Sequence, residues 1–144
     1  MKKQLLAFAF AMACTVAGFS QTVVGKWKTF DDKTGDAKSI VEITEVGGKL
    51  QGKIIEVLNP AKKNAVCTEC KGADKGKKLE GLTIIKNMAK DGSEYSGGKI
   101  LDPTNGKEYS CIIKVNKDDK NKLDVRGYIG MSFAGRTQVW TRVQ

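Results

Sequence analysis

Beyond residue 20 the sequence is a succession of short β-rich runs, each ended by a turn built from Gly, Asn or Asp, and this punctuation constrains the fold more than anything else in the chain. The run 24–30 gives way to the polar stretch Asp31 to Asp36. The run 39–46 alternates, with Val41 and Ile43 on one face and Glu42 and Thr44 on the other, as a half-buried strand requires. Gly47-Gly48 matches a two-residue hairpin, and the run 49–58 follows it. Further runs lie at 83–88, 94–101, 107–116, 123–129 and 137–143. Most of their breaks are tight turns such as Asp91-Gly92 and Asp102-Pro103-Thr104-Asn105-Gly106, where Pro presets one dihedral and Asn-Gly supplies the left-handed positions. A Gly97-Gly98 pair inside the fifth run marks a bulge or bend, which a curving sheet needs.

Eight strands joined in sequence predict an all-β fold, an antiparallel up-and-down meander. Closure into an eight-stranded barrel removes its two exposed edges. Such a barrel is just wide enough to be filled by side chains or to hold one small ligand.

The first 20 residues belong to a different object. Met1-Lys2-Lys3 is basic, Leu5 to Phe19 is almost wholly apolar, and Gly18-Phe19-Ser20 supplies small residues before Gln21. This is the layout of a secretory signal peptide, too short for a membrane span with a stop-transfer flank. The expectation is a leader over 1–20 and a single barrel domain over 21–144, periplasmic or extracellular. Lipidation at Cys14 is a lesser alternative: Ala11 stands where a lipoprotein signal normally has Leu, and the apolar run continues past the Cys.

The chain contains no His, which removes the Ser-His-Asp triad, the Cys-His pair and imidazole metal sites from consideration. The formal net charge of +9 invites a nucleic-acid reading, but export, scarce Arg and a lack of interleaved aromatics speak against it. Paired acids Asp31-Asp32 and Asp118-Asp119 sit in turns, where Asp bonds to local backbone, and neither fits a calcium loop.

The two ends of the domain carry a resemblance. The first strand opens Gly25-Lys26-Trp27, and the last reads Gly135-Arg136-Thr137-Gln138-Val139-Trp140-Thr141-Arg142. This pairing resembles the lipocalin and fatty-acid-binding superfamily, in which a basic residue near the chain end packs on the Trp of a Gly-x-Trp. First and last strands are neighbours when a meander closes, and a guanidinium stacks well on an indole. Over nearly the whole domain the sequence resembles the bacterial exported family DUF2147. The matching strings are Gly97-Gly98-Lys99-Ile100-Leu101-Asp102-Pro103, Leu123-x-Val125-Arg126-Gly127-Tyr128-Ile129-Gly130, and the last strand. The resemblance implies a lipocalin-like barrel and no established activity. Gln51 stands where many members of that family have a Cys.

Three cysteines follow the leader. Cys67-Thr68-Glu69-Cys70 is a C-x-x-C followed by Lys71, not by the His that haem attachment needs. Zinc and thioredoxin-type redox chemistry lack the remaining ligands and the βαβ setting, so no metal or cofactor is expected. The preferred picture is a Cys67–Cys70 bridge tethering the loop, with a free Cys111 on the inner face; pairing of either with Cys111 is the alternative.

Strand parity places Arg136, Gln138, Trp140 and Arg142 on one face, and Trp27 and Tyr109 on inner faces of their own strands. The leading functional expectation is a non-enzymatic module binding a small amphipathic or anionic molecule. Arg136 and Arg142, with Gln138 and Tyr109, would meet its anionic head, beside Trp27 and Trp140. A buried guanidinium would need that anion or an internal acid beside it. The alternative is a structural or interaction protein of the cell envelope with a filled core. It would contact anionic surfaces through Lys62, Lys63, Lys77 and Lys78 of the loop 61–78. An enzyme would have to use carboxylates or the C-x-x-C, and no convergent set is visible.

Overall fold

In the computed structural model, described over residues 22–131 and 134–144, the chain forms eight antiparallel strands closed into a barrel in sequence order. The leader 1–20 and Cys14 lie outside the described residues. The strands are β1 (Gly25–Phe30), β2 (Ala37–Val46), β3 (Lys49–Val57), β4 (Thr83–Asp91), β5 (Glu94–Asp102), β6 (Lys107–Val115), β7 (Lys122–Tyr128) and β8 (Gly135–Arg142). Gly47 and Gly48, both at positive φ, make the two-residue β2–β3 hairpin, as their sequence requires.

The alternation read from sequence becomes an inside and an outside. Trp27, Val41, Ile43, Leu50, Ile85, Met88, Cys111, Ile113 and Leu123 are fully buried and fill the interior, and Trp140 is nearly so. Charged residues such as Lys53, Lys99, Lys114 and Arg126 point the other way. An apolar inside and a charged outside reverse the polarity of a membrane-spanning barrel.

The barrel has two unlike ends. At the closed end lie three short connections (β2–β3, β4–β5 and β6–β7) and both ends of the domain. Here Trp27 pairs in register with Arg142. The Arg142 guanidinium carbon sits 4.2 Å from the indole centroid, and its Nη2 donates to the carbonyls of Thr22 and Lys120 at 3.0 and 3.3 Å. The indole Nε1 of Trp27 donates to Val23 O at 2.9 Å. Gly25, at φ +145°, leaves the space: a Cβ there would lie 3.2 Å from Arg142 Nη1. The Gly-x-Trp pattern thus has a steric reason.

The β1–β8 ladder is short. Its register pairs are Trp27↔Arg142 and Lys28↔Thr141, extended by one backbone bond from Val143 N to Lys26 O. Towards the other end, the mouth, the pairing of the two strands stops.

The segment 58–82 adds a small second layer outside the barrel. It contains two 3-10 turns, Pro60–Lys62 and Gly72–Asp74, and an isolated bridge between Val66 and Lys78. Register places Ile85 and Ile100 inward, so Ile84 and Leu101 face outward, yet both are buried. The bridged pair Cys67–Cys70, itself buried, lies against the β5–β6 turn, with Cys67 Sγ 3.7 Å from Pro103 O.

Two substitution sets follow from this packing. Trp27→Ala should destabilise the domain by about 3–5 kcal/mol in urea denaturation, the usual cost of emptying a large buried aromatic site. Arg142→Lys should cost on the order of 1–2 kcal/mol, because an ammonium neither stacks flat nor donates in a fork. Gly98→Ala should be the more damaging of two glycine changes. Its Cβ would collide with the Lys86 carbonyl and Met88 Sδ, whereas the nearest atom to a Cβ at Gly127 is 3.6 Å away.

Candidate functional site

The mouth is ringed by the β1–β2, β5–β6 and β7–β8 connections and the start of the 58–82 segment. Most polar chemistry on the inner face gathers there. On β8, Trp140 Nε1 donates to Gln138 Oε1 at 3.1 Å, and Gln138 Nε2 donates to Asp32 Oδ2 at 2.8 Å. Arg136 Nη2 forms an ion pair with the same Asp32 oxygen at 2.8 Å. A chain of contacts therefore runs from the buried indole to the rim, joining β8 to the β1–β2 loop where the backbone ladder has stopped.

The loop 31–36 holds Asp32 in place. Asp31 accepts from the backbone N–H groups of Lys33 and Thr34 at 2.8 and 3.0 Å, and Gly35 N and Asp31 O close a turn at 2.8 Å. The N–H of Thr34, then that of Lys33, holds the Asp31 carboxyl below its usual value of 3.8. Below the rim, Thr29 and Ser39 satisfy one another across β1–β2 at 2.7 Å. Opposite, Ile100 and Tyr109 are half-buried beside Gly127, where a Cβ would sit in ordinary contact, 3.6 Å from the Tyr109 Cβ and 3.8 Å from the Ile100 Cγ2. The Tyr109 hydroxyl accepts from Asn105 Nδ2 at 3.0 Å.

The six residues singled out from sequence therefore fall into two groups. Tyr109, Arg136 and Gln138 belong to the mouth, with Trp140 reaching it through its indole nitrogen. Trp27 and Arg142 belong to the closed end. The expectation that Arg136 and Arg142 jointly meet one anionic head is corrected. They share a face but stand six residues apart on one strand, about 20 Å at the usual rise. Arg136 is also not a buried cation: its side chain is 70% exposed. The acid beside it is Asp32, which sequence reasoning set aside as a turn former. Asp31 does that work, while Asp32 reaches across the β1–β8 seam to Gln138 and Arg136.

The cysteines fall as the preferred reading has them. Cys67 and Cys70 are bridged, and Cys111 is free and buried. With both sulfurs of the C-x-x-C tied to each other, neither thiolate is free to ligate a metal. Burial pushes the Cys111 thiol up to about 12, so it is protonated and inert.

The lysines of the 58–82 segment are not equivalent. Lys62, Lys63 and Lys78 are exposed, whereas Lys77 Nζ pairs with Asp74 at 3.3 Å. Asp74 also accepts from Lys86 Nζ of β4 at 3.2 Å, and Lys86 lies 3.7 Å from Glu108 of β6. These bonds, that to Lys86 first, hold the Asp74 carboxyl below 3.8, with partial desolvation opposing them.

Two tests follow. A carboxylate lowered by folding contributes stability that is complete above its unfolded value and lost as pH falls below it. Denaturation midpoints should therefore drop below pH 3.8, and Asp74→Asn should flatten that drop. In native protein at pH 8, a thiol reagent should leave Cys111 untouched, and denaturant should make the Cys111 thiol reactive.

Among solved structures the barrel is similar to a protein described as "Protein HP1028 from the human pathogen Helicobacter pylori belongs to the lipocalin family". The TM-score is 0.73 at 21% identity, over 85% of this chain and 84% of that one. At this identity the likeness establishes the fold alone. No curated protein matches the sequence. A family model covers residues 25–142, which takes in all eight strands. The chain accordingly belongs to the bacterial family described as "Uncharacterized protein conserved in bacteria (DUF2147)".

Proposed function

We propose that the protein is an exported, non-enzymatic binding protein that engages a small amphipathic or anionic molecule at the mouth of its barrel, not in a deep central cavity. The observation that carries this reading is the contact chain Arg136–Asp32–Gln138–Trp140, with half-buried Ile100 and Tyr109 at the same end of the barrel. An incoming carboxylate or phosphate can take the place of the Asp32 carboxylate on Arg136, so that one charge-assisted bond replaces another. Release of Asp32 frees the Gln138 amide for the same ligand. Half-buried Ile100 and Tyr109, beside Gly127, offer apolar surface to the rest of the ligand. Below this level Ile43, Leu50, Met88 and Leu123 fill the barrel, which limits the ligand to shallow entry.

Export is supported by the leader read in residues 1–20 and by the Cys67–Cys70 bridge, which suits an oxidising compartment. The non-enzymatic reading is supported by the absence of His and by the use of Asp32 as a partner for Arg136 and Gln138.

The filled interior also favours a second reading, an envelope interaction protein using its Lys-rich segment. With Lys77 engaged by Asp74, that surface rests on Lys62, Lys63 and Lys78.

Native mass spectrometry of protein purified from its own envelope separates the two. The mouth reading expects a bound small molecule that Arg136→Ala reduces by on the order of ten-fold, the loss of a charged hydrogen-bonded contact. Reversal of the charges at Lys62, Lys63 and Lys78 should leave that occupancy unchanged. Absence of any bound molecule, with envelope association abolished by the lysine reversals, contradicts the mouth reading and favours the second.

A further inference from the structure

A second depression of the molecule lies on the outer wall, away from the mouth. It is a groove of about 460 Å³ over the β3–β4 seam. Its polar lining is Lys49, Gln51, Lys77, Thr83, Lys86 and Asn87, together with Asp74; Val46 and Leu50 supply the apolar part. Leu50, like Ile85 and Met88, is fully buried, so the floor of the groove is the outer side of the packed core.

The groove is made by a break in the ladder. Leu50 pairs with Met88 and Gly52 with Ile85, so Gln51 on β3 faces both Lys86 and Asn87 on β4. A second irregularity follows before Lys53↔Thr83. Asn87 adopts φ +58°, and it is the only non-glycine residue with positive φ among the described residues. Neighbouring strands make room for this bulge on both sides. A Cβ at Gly98 of β5 would strike the Lys86 carbonyl and Asn87, and one at Gly52 of β3 would lie 2.8 Å from Ile85 Cδ1. Two glycines and a left-handed residue thus maintain one irregularity. Bulges and strained residues of this kind concentrate where a side chain is re-aimed for binding.

The groups so presented have a definite chemistry. Three ammonium groups line the groove. Asp74 sits between two of them, Lys77 at 3.3 Å and Lys86 at 3.2 Å, and fixes their positions. Lys49 has no carboxylate within ion-pair distance among the described residues. The groove therefore keeps a positive surplus and adds two amides and a hydroxyl, the groups that recognise ligand hydroxyls. Its volume lies within the range of small-molecule sites. We propose that this groove is a binding site for a phosphate-bearing polyhydroxylated molecule, with Lys49, Lys77 and Lys86 on the phosphate and Gln51, Thr83 and Asn87 on the hydroxyls. The same chemistry is offered by a free sugar phosphate and by a phospholipid headgroup.

The test is an amide NMR titration of the intact domain with a glucose phosphate, with glucose, with inorganic phosphate, and with vesicles containing phosphatidylglycerol. Shifts centred on Gln51, Lys86 and Asn87 are expected with the phosphorylated sugar, weaker ones with inorganic phosphate, and none with glucose. Such shifts with the sugar phosphate mark a free ligand; selective broadening of those signals by vesicles marks a headgroup. The double variant Lys49→Ala, Lys77→Ala should weaken binding on the order of ten-fold while its remaining amide spectrum stays native. Arg136→Ala, at the mouth, should leave it unchanged, which separates this site from the one proposed above. Absence of shifts at these amides with both the sugar phosphate and the vesicles overturns the proposal. So does equal binding by the double variant.

Discussion

The stacking of Arg142 on Trp27 is the contact that turns a meander into a barrel. Seven of the eight strand junctions are hairpin neighbours or, for β3–β4, strands rejoined by a segment bonded back onto β3. Only β1 and β8 must find one another across the whole domain, and their ladder is brief. Side chains do what the backbone there does not. The guanidinium covers the indole, bonds the carbonyls of Thr22, ahead of β1, and Lys120, in the β6–β7 connection, and occupies space that Gly25 leaves open. Loop closure of such length is entropically costly, so the contact that secures it must combine burial with directional bonds.

That arrangement divides the molecule along its axis. Near the closed end the interior is filled by buried apolar side chains. Towards the mouth β1 and β8 diverge, and the Asp32 carboxylate spans the gap by accepting from Gln138 and pairing with Arg136. These bonds are partly exposed and exchangeable, whereas aliphatic packing is neither. A protein built this way can accept a ligand at its rim without disturbing the closure on which its fold depends.

Much of this was legible in the sequence because two of its signals are local. Alternation at Val41 and Ile43, and turn chemistry at Gly47-Gly48, need no knowledge of distant residues. The Trp27–Arg142 contact was legible because the termini of a meander are neighbours by topology. Parity, however, assigns a face and not a depth, which is why Arg136 and Arg142 read as one site and lie at opposite ends. Asp32 carried no local mark distinguishing it from Asp31, since its partners lie over a hundred residues away. The bulge was foreseeable at Gly97-Gly98 and not at Asn87, whose left-handed backbone depends on glycines in two other strands. Leu101, outward by parity, is buried because the 58–82 segment lies against that side of the barrel, a tertiary event outside any strand pattern.

The two indoles report on the two ends. Trp27 Nε1 is bonded to Val23 O beneath the guanidinium, and Trp140 Nε1 is bonded to Gln138 in the rim chain. Hydrogen exchange of these two indole protons, resolved by NMR under native conditions, measures directly whether the closed end and the mouth are energetically distinct. Trp27 should exchange only through global unfolding, tracking stability in denaturant, while Trp140 exchanges faster through local opening of the mouth. Equal protection of both, or faster exchange at Trp27, would contradict a barrel secured at its closed end and adaptable at its rim.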